Sequence, residues 1–458
     1  MVNMKAKTLL TVLCLLPQLL VAQDSKGPMS LKACLDWAIG NNASLQKDRI
    51  GLESAAQSRR EIVGSLLPQI GASGSMAYNI QKTTIAMPNF VNSMMPEPMR
   101  DPNASKYMTV TMGMDLSANW GFSLTQQVVT FSLFSAVGIA RSAEEMARLG
   151  VAADTDDVIA RTATRYYNAQ ILQYSLSLFD ESLAVMDRMA AMMETNKDLG
   201  IVRSVDADRI AVTRVNLQTE KQSLVQALEV QKNLLKLEMG YPMSDPVEIA
   251  PADMDAVEAM VFLEPDCGFE LERQLPFRML KQQQSMLQLQ RKSAIGEVLP
   301  SVILQGTYSQ NYMGDHFYGE TFHHFPMSMV SLNLKVPIFT GMSKSAKIRK
   351  AALELEKSYR DEDVLTNSLR MGYANAAMQM EQNRTTIQSQ RRNRELARNV
   401  LEVTESNYGE GLASLSDVLN ASSSLIQAQM NYVNALSGSV KAYIDLKKAN
   451  GTISEINR

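Results

Sequence analysis

Along residues 108–124 the side chains alternate without a fault. Met108, Val110, Met112, Met114, Leu116, Ala118, Trp120, Phe122 and Leu124 fall on one parity, and Thr109, Thr111, Gly113, Asp115, Ser117, Asn119, Gly121 and Ser123 on the other. A period of two sends successive side chains to opposite faces, so the stretch predicts one strand with an apolar and a polar face. Ile70, Ala72, Met76, Tyr78 and Ile80 alternate in the same way with Gln69, Ser73, Ser75 and Asn79. So do Val302, Leu304, Tyr308 and Tyr312 with Gln305, Thr307, Ser309 and Asn311, and Val330, Leu332, Leu334 and Val336 with Ser331, Asn333 and Lys335. Four strands are expected.

Elsewhere the period is helical. No proline occurs between Pro102 and Pro242, or after Pro337, as long unbroken helices require. A helix over 132–198 would span roughly 100 Å. Within it Leu172, Leu176, Phe179, Leu183, Met186, Ala190 and Met193 step by four and three, the heptad signature of a helix packed along a neighbour. A weaker seam runs through Leu425, Tyr432, Leu436, Tyr443 and Leu446, with Gln429 and Ser439 between them, which suggests a wider assembly with a wet inner face. Residues 408–421 break the last helical run: Gly409 and Gly411 offer freedom in φ, Ser414 or Ser416 a cap, and Asp417 a charge for the next helix's first turn.

Landmarks of the first half return in the second. Leu67-Pro68 recurs as Leu299-Pro300, an offset of 232 (299 − 67), and Phe131 as Phe339, an offset of 208 (339 − 131). Gly200 with Asp206 recurs as Gly411 with Asp417, and Gly240 as Gly451, each at an offset of 211 (411 − 200, 451 − 240). The offset falls by 24 (232 − 208) between the first two landmarks, and the surplus lies in the proline-rich loop 87–103. Two repeats are expected, 23–240 and 266–458, each reading helix, strand pair, long helical hairpin. Between them 241–265 is acidic, holds four prolines and reads as a surface linker. Pro276 marks a kink or a helix start.

Charge and cysteine content add a compartment. Lys5 and Lys7 precede an apolar run that ends near Val21, the pattern of a secretory signal peptide over 1–22; Leu20 is large for its place before the cut. Lipid attachment at Cys14 is the weaker reading, since Leu13 before it is not small. Loss of both lysines takes the net charge from −3 to −5, and no basic patch marks a nucleic-acid binder. Cys34 and Cys267 could pair or stay free. No later segment stays apolar for the length that a membrane helix needs, so any membrane passage falls to the strands. Four strands wedged between long helices have no second sheet to cover them, and outer-membrane strands run ~10 residues, apolar outward and polar inward. Four cannot close a barrel, which leaves exposed edges or an oligomer.

With the duplicated Leu-Pro before a strand, two Gly-x5-Asp turns, and Gly240-Tyr241-Pro242 ending the first repeat, the chain resembles the TolC-like outer-membrane efflux channels. The resemblance implies an α+β membrane protein: a homotrimer whose twelve-stranded outer-membrane β-barrel continues into a long periplasmic α-helical barrel. It implies an exit duct in the outer membrane of a tripartite efflux pump or type I secretion system. A periplasmic adaptor opens it, and an inner-membrane RND or ABC transporter drives it. It also implies a gate at the helical tips, with Tyr408 bonded to Asp206, a ring of Asp417 carboxylates, and turns at Gly200 and Gly411. Asp208 and Asn420 are secondary at the pore mouth; Asn420 stands where relatives carry a second aspartate, and Ala413 where some carry a locking arginine.

Plainer roles compete for these residues. Asp417 can be a capping device only, and Tyr408 can simply pack. His316, His323 and His324 beside Asp315 suggest a metal site, but they fall in the strand connection 310–326 among Phe317, Tyr318, Phe322 and Phe325, an interfacial aromatic cluster. Thirty methionines admit copper export, yet Met is a pliant core filler and several lie in or beside the seam. Neither metal nor cofactor is expected, and no nucleophile elbow, phosphate loop or zinc-protease motif occurs. The alternative from another class is a periplasmic coiled-coil scaffold with a small soluble sheet.

Overall fold

The computed structural model describes residues 27–198, 203–251, 253–262, 268–316 and 323–457, with backbone alone over 196–198. The expected signal peptide, Gly200, Cys267, Phe317, Tyr318 and Phe322 lie outside them, and with Cys267 goes the question of its pairing with the buried Cys34. In chain order the elements are α1 Leu31–Asn41, α2 Ala43–Gly64, β1 Gln69–Tyr78, β2 Thr83–Pro88, α3 Phe90–Met94, β3 Tyr107–Met112 and β4 Leu116–Val129. They continue with α4 Phe131–Asp198, α5 Ser204–Met239, α6 Met254–Phe262, α7 Leu275–Gly296, β5 Ser301–Gly314, β6 His323–Lys335, α8 Ser343–Gly409 and α9 Leu415–Ala449. The proline-free stretches form the long helices: α4 has 68 residues and α8 has 67. Pro276 stands at the second residue of α7, where its missing N–H costs nothing.

The chain divides into two compact units. One gathers the described residues within 1–47, 152–275 and 366–458; the other holds those within 48–151 and 276–365.

The second unit contains the strands. β1, β4, β5 and β6 pair antiparallel in that spatial order. The register sets Ile70 opposite Leu124, Phe122 opposite Tyr308 and Leu304 opposite Leu332, so the apolar positions of all four strands share one face. That face is bare: Ile70 is 72% exposed, Leu332 67% and Val330 80%. The expected single strand over 108–124 is in fact two. Gly113 takes φ 104° between them, and β3 pairs with β2 in a separate hairpin. Side-chain parity continues through such a bend, which is why alternation alone did not reveal it. The described residues thus hold six strands instead of four. The loop over 87–103 carries the end of β2, helix α3 and a 3-10 turn, Glu97–Met99. Lys82 Nζ lies 3.1 Å from both Asp115 Oδ1 and Asp315 Oδ1 and ties the hairpin to the end of β5. Asp315, weighed above as a metal ligand, is held below its ordinary pKa by Lys82. His323 and His324 belong to β6, with His324 stacked on Tyr312 at 5.8 Å. Among the described residues no three His, Cys, Asp or Glu side chains form a metal cluster.

The first unit is helical. Its main cluster joins Ile159, Ala163, Ile171 and Leu178 of α4 to Ile387 of α8 and to Tyr432, Leu436, Val440 and Ile444 of α9. Each aliphatic or aromatic side chain buried here contributes about 1.5–3 kcal/mol relative to exposure. Gln429 and Ser439, expected on a wet face, are buried, 3% and 0% exposed. Ser182 Oγ donates to Gln429 Oε1 at 3.5 Å, and Ser439 Oγ to the Ala435 carbonyl at 2.7 Å.

Over 241–265 the expected surface linker is instead partly built into this core. Val247 and Ile249 are buried, and Met29 forms a parallel bridge with Ile249. Helix α6 buries Met254, Val257, Glu258 and Val261. Glu258 accepts hydrogen bonds from Tyr432 Oη at 2.8 Å and Arg391 Nη1 at 3.2 Å, while the Arg394 guanidinium lies 4.1 Å from the Tyr432 ring. A buried carboxylate needs such partners, and they fix where α6 docks. Prolines and acidic residues concealed a helical spacing, 254, 257, 258, 261, that was present in the sequence.

Candidate functional site

Of the two turns singled out in the sequence, the second lies between α8 and α9 within the first unit; residues 199–202 of the first lie outside the described residues, and its Asp206 stands in the first turn of α5. Beneath them Met189, Met193, Ile210, Leu401, Leu415, Val418, Ala421 and Leu425 form a cluster that Tyr408 packs against. The heptad positions at the end of α4 thus become the floor on which the tips rest.

The second turn is built by backbone conformation and one cap. Gly411 adopts φ 77°, a left-handed geometry that a side chain would strain; Gly409 is the last helical residue of α8 and needs no such freedom. Ser414 is the N-cap of α9 and forms a capping box with Asp417. The Ser414 hydroxyl accepts from the Asp417 N–H at 3.2 Å, while Asp417 Oδ2 accepts from the Ser414 N–H at 2.9 Å and from its hydroxyl at 2.6 Å. These bonds, the hydroxyl first, hold the Asp417 carboxyl below its ordinary pKa. A lowered native pKa makes the stabilisation full above the unfolded pKa, and it is lost as the pH falls through the native one. Asp417→Asn should therefore lower the thermal midpoint most near neutral pH. The gap to the parent protein should close on acidification below both pKa values; a gap independent of pH would remove the carboxylate from the cap's energetics.

The expected Tyr408–Asp206 bond is not formed. Tyr408 Oη instead meets Met193 Sδ at 3.5 Å, and Asp206 Oδ1 lies 3.9 Å from Arg209 Nη1, one helical turn away. Burial in the cluster, followed by the charge of Asp206, raises the Tyr408 pKa, so the hydroxyl keeps its proton. The physical reason for the difference is competition: an apolar floor takes the ring, and a guanidinium attracts the carboxylate. Arg209 also reaches across the turns, with Nη1 donating to Ser416 Oγ at 3.3 Å. Sequence reading missed Arg209. Its signal was the Asp206-x-x-Arg209 spacing, which brings two side chains together on one helix face. Asp208 and Asn420 are exposed, and the Asn420 carbonyl accepts from Ser424 Oγ at 2.8 Å.

Two individually weak polar contacts cross between the hairpins above the apolar floor: the Tyr408–Met193 thioether contact joins the ends of α8 and α4, and the exposed Arg209–Ser416 bond joins the starts of α5 and α9. Among the described residues no reacting group converges there.

Comparison with known proteins follows the same outline. Residues 270–452 match the family model described as Outer membrane efflux protein. The Outer membrane protein TolC of Vibrio cholerae is 28% identical over 170 residues, 34% of this chain and 36% of its own length. The Outer membrane efflux protein BepC of Brucella suis is 26% identical over 163 residues, 36% of this chain and 35% of its own. These matches span about a third of each curated relative. In fold the similarity is wider. The crystal structure of CusC superposes with a TM-score of 0.73 at 15% identity, covering 92% of this chain and 91% of that one. The outer membrane protein VceC of Vibrio cholerae superposes with 0.70 at 16%, covering 92% and 96%.

Proposed function

We propose that this chain, whose residues 270–452 match the model of the outer membrane efflux proteins and whose fold is similar to that of CusC, is the passive exit duct of a tripartite efflux pump or a type I secretion system. It resides in the outer membrane with a periplasmic extension. Three copies supply four strands each to a twelve-stranded barrel, the helices continue it into the periplasm, and outer-membrane lipid covers the apolar face. An adaptor protein opens the tips, and an inner-membrane RND or ABC transporter supplies the energy.

The observation that carries this reading is the sheet. It has an apolar face open along four strands, a polar opposite face, and two unpaired edges, β1 and β6. In water such a face is costly; against hydrocarbon it is favourable, and closure by further copies removes the edges. No described helix is long and apolar enough to cross a membrane. A soluble periplasmic scaffold would leave this surface uncovered, and fractionation into the periplasm would favour that second reading.

The gate is assigned to the turns at Gly200 and Gly411, with Tyr408, Asp206 and Asp417 as its working residues, Asp208 and Asn420 at the mouth, and Arg209 added by the geometry above. With Ala413 and Asn420 in place of charged residues, the closed tips rest on the apolar floor and on Arg209. In planar bilayers, Arg209→Ala and the double variant Tyr408→Phe with Asp206→Ala should raise resting conductance severalfold. Tyr408→Phe alone, which keeps the ring on its floor, should change it little. Unchanged conductance in all three would mean other contacts close the tips, and absence of any conductance in the parent protein would exclude the duct.

A further inference from the structure

The hairpin β2–β3 stands at the end of the sheet away from the helices. β1 leads into it after Tyr78 and β4 follows it from Leu116, while the other ends of those two strands adjoin α2 and α4. The four-stranded sheet is complete without it. Its two faces differ. Ile85 opposite Val110 and Met87 opposite Met108 share one face with Met112, whereas Thr84 opposite Thr111 and Ala86 opposite Thr109 form the other, with Thr84 Oγ1 3.3 Å from Thr111 Oγ1. The apolar face is half open, with Ile85 45% exposed, and a two-stranded hairpin by itself is marginal in water.

The tip is built by specific bonds. Asn89 Oδ1 caps α3 by accepting from the Asn92 N–H at 3.1 Å. Asn92 Nδ2 donates to the Asp101 carbonyl at 3.0 Å, the Asp101 N–H donates back to Asn92 Oδ1 at 2.9 Å, and Arg100 Nε donates to the Met95 carbonyl at 2.8 Å. This ordered frame nevertheless turns Met94, 80% exposed, and Met99, 73% exposed, away from the chain. Ordered backbone carrying bare apolar side chains marks a surface that meets a partner.

The base of the hairpin sets its direction. Gly113 bends the chain with φ 104°, and Asn79 holds the turn, its N–H donating to the Asp115 carbonyl at 2.7 Å and its Nδ2 to the Met114 carbonyl at 2.8 Å. Leu116 pairs with Gly314, so Asp115 comes opposite Asp315 one step beyond, and both have the parity of Ser117, Asn119, Ser123 and Asn311 on the polar face. Lys82 Nζ lies 3.1 Å from an oxygen of each. One lysine thus draws the hairpin's base to the polar side of the sheet, the side that faces the lumen of the proposed duct. Length agrees with that direction. β2 and β3 have six residues each, about 20 Å, whereas twelve strands spaced about 4.8 Å apart and tilted about 40° close at a radius of about 12 Å. A hairpin bent inward reaches the axis.

We propose that the β2–β3 hairpins of three copies fold over the outer mouth and meet tip to tip, Met94 and Met99 of each packing against those of the other two, with Lys82 as the clamp that holds each hairpin inward. The bare surface is covered by the same surface of a second copy. This lid rests on the trimeric duct and closes it at the end opposite the helical tips. A joint of pliant thioethers without directional bonds can part for cargo of many shapes.

Two measurements on the full-length protein in outer membranes test the lid. Met94→Cys, oxidised with copper phenanthroline, should give covalent dimers on non-reducing gels, at least tenfold above Thr84→Cys on the hairpin's polar face and above the parent protein with its native cysteines. Ser123→Cys places a thiol on the lumen side of β4. On whole cells, a bulky maleimide unable to cross the outer membrane should label it at least tenfold faster when Lys82→Met is added, and no faster with Lys82→Arg. Raised salt should also speed the labelling, because the clamp is partly exposed and its charges are screened. Dimers from Met94→Cys no more abundant than from Thr84→Cys would overturn the meeting of tips, and equal labelling of Ser123→Cys with and without Lys82→Met would overturn the clamp. Quenching of Met94→Trp by brominated phospholipid, beyond that of Trp37 and Trp120 in the parent, would show lipid covering the tip and defeat the lid as well. Native mass spectrometry separates the two levels: a trimer lacking both effects defeats only the lid, whereas a monomer defeats the duct too.

Discussion

Replacing Tyr432 by alanine should destabilise the helical unit by about 4 kcal/mol, the scale seen when a large buried aromatic is truncated. Tyr432 is 2% exposed and stands where α4, α6, α8 and α9 meet: its ring packs edge-on to Tyr174 and beneath Arg394, and its hydroxyl donates to Glu258. Burial first, and then the Glu258 hydrogen bond, push its pKa up, so it remains a donor at any physiological pH. Tyr432→Phe separates the contributions. It keeps the ring and removes one hydrogen bond to a carboxylate, an expected loss of about 2 kcal/mol. Because Glu258 is the buried polar anchor of α6, that variant should also open residues 254–262 to protease before the rest of the unit unfolds. Thermal unfolding in detergent with timed proteolysis reads both effects. Equal resistance of parent and Tyr432→Phe at this segment would mean that apolar contacts alone hold α6.

The second large effect is expected at Gly240, with Gly451 as its matched control. Both take left-handed φ angles, 66° and 73°, at the ends of α5 and α9, and an alanine there costs about 1 kcal/mol in backbone strain. Their surroundings differ. A Cβ at Gly240 would lie 2.4 Å from the Asn41 carbonyl oxygen, whereas at Gly451 the nearest atom is the Gln274 side-chain nitrogen at 3.3 Å. Backbone cannot move aside as a flexible amide can, so Gly240→Ala carries an added overpacking term and should reach about 3 kcal/mol in total, against about 1 for Gly451→Ala. Side-by-side thermal melts decide it. Equal losses would show that α1 yields at no cost.

What the sequence made legible, and what it hid, follows from the range of each signal. The long helices were plain because a proline interrupts a helix wherever it falls, and its absence is visible position by position. The sheet face was plain because parity survives from strand to strand once the register is even. Gly113 escaped because a turn of the backbone leaves parity intact. Tyr408 and Asp206 were paired by resemblance, and the partners they take, Met193 and Arg209, depend on which neighbours are nearer in space. Only the Arg209 contact with Asp206 has a local spacing; the bond from Tyr408 to Met193 joins distant parts of the chain and leaves no trace in the pattern. Helix α6 was hidden by composition, since a buried Glu258 looks the same in a sequence as a solvated one.

The two bare edges of the sheet bear on how the protein is made. On the proposed route to the outer membrane, the chain would present β1 and β6 with unpaired backbone beside a continuous apolar face, and both features would invite pairing with any other nascent chain. For the duct proposed above, transit through water would have to be brief or escorted, and insertion would have to coincide with the meeting of copies.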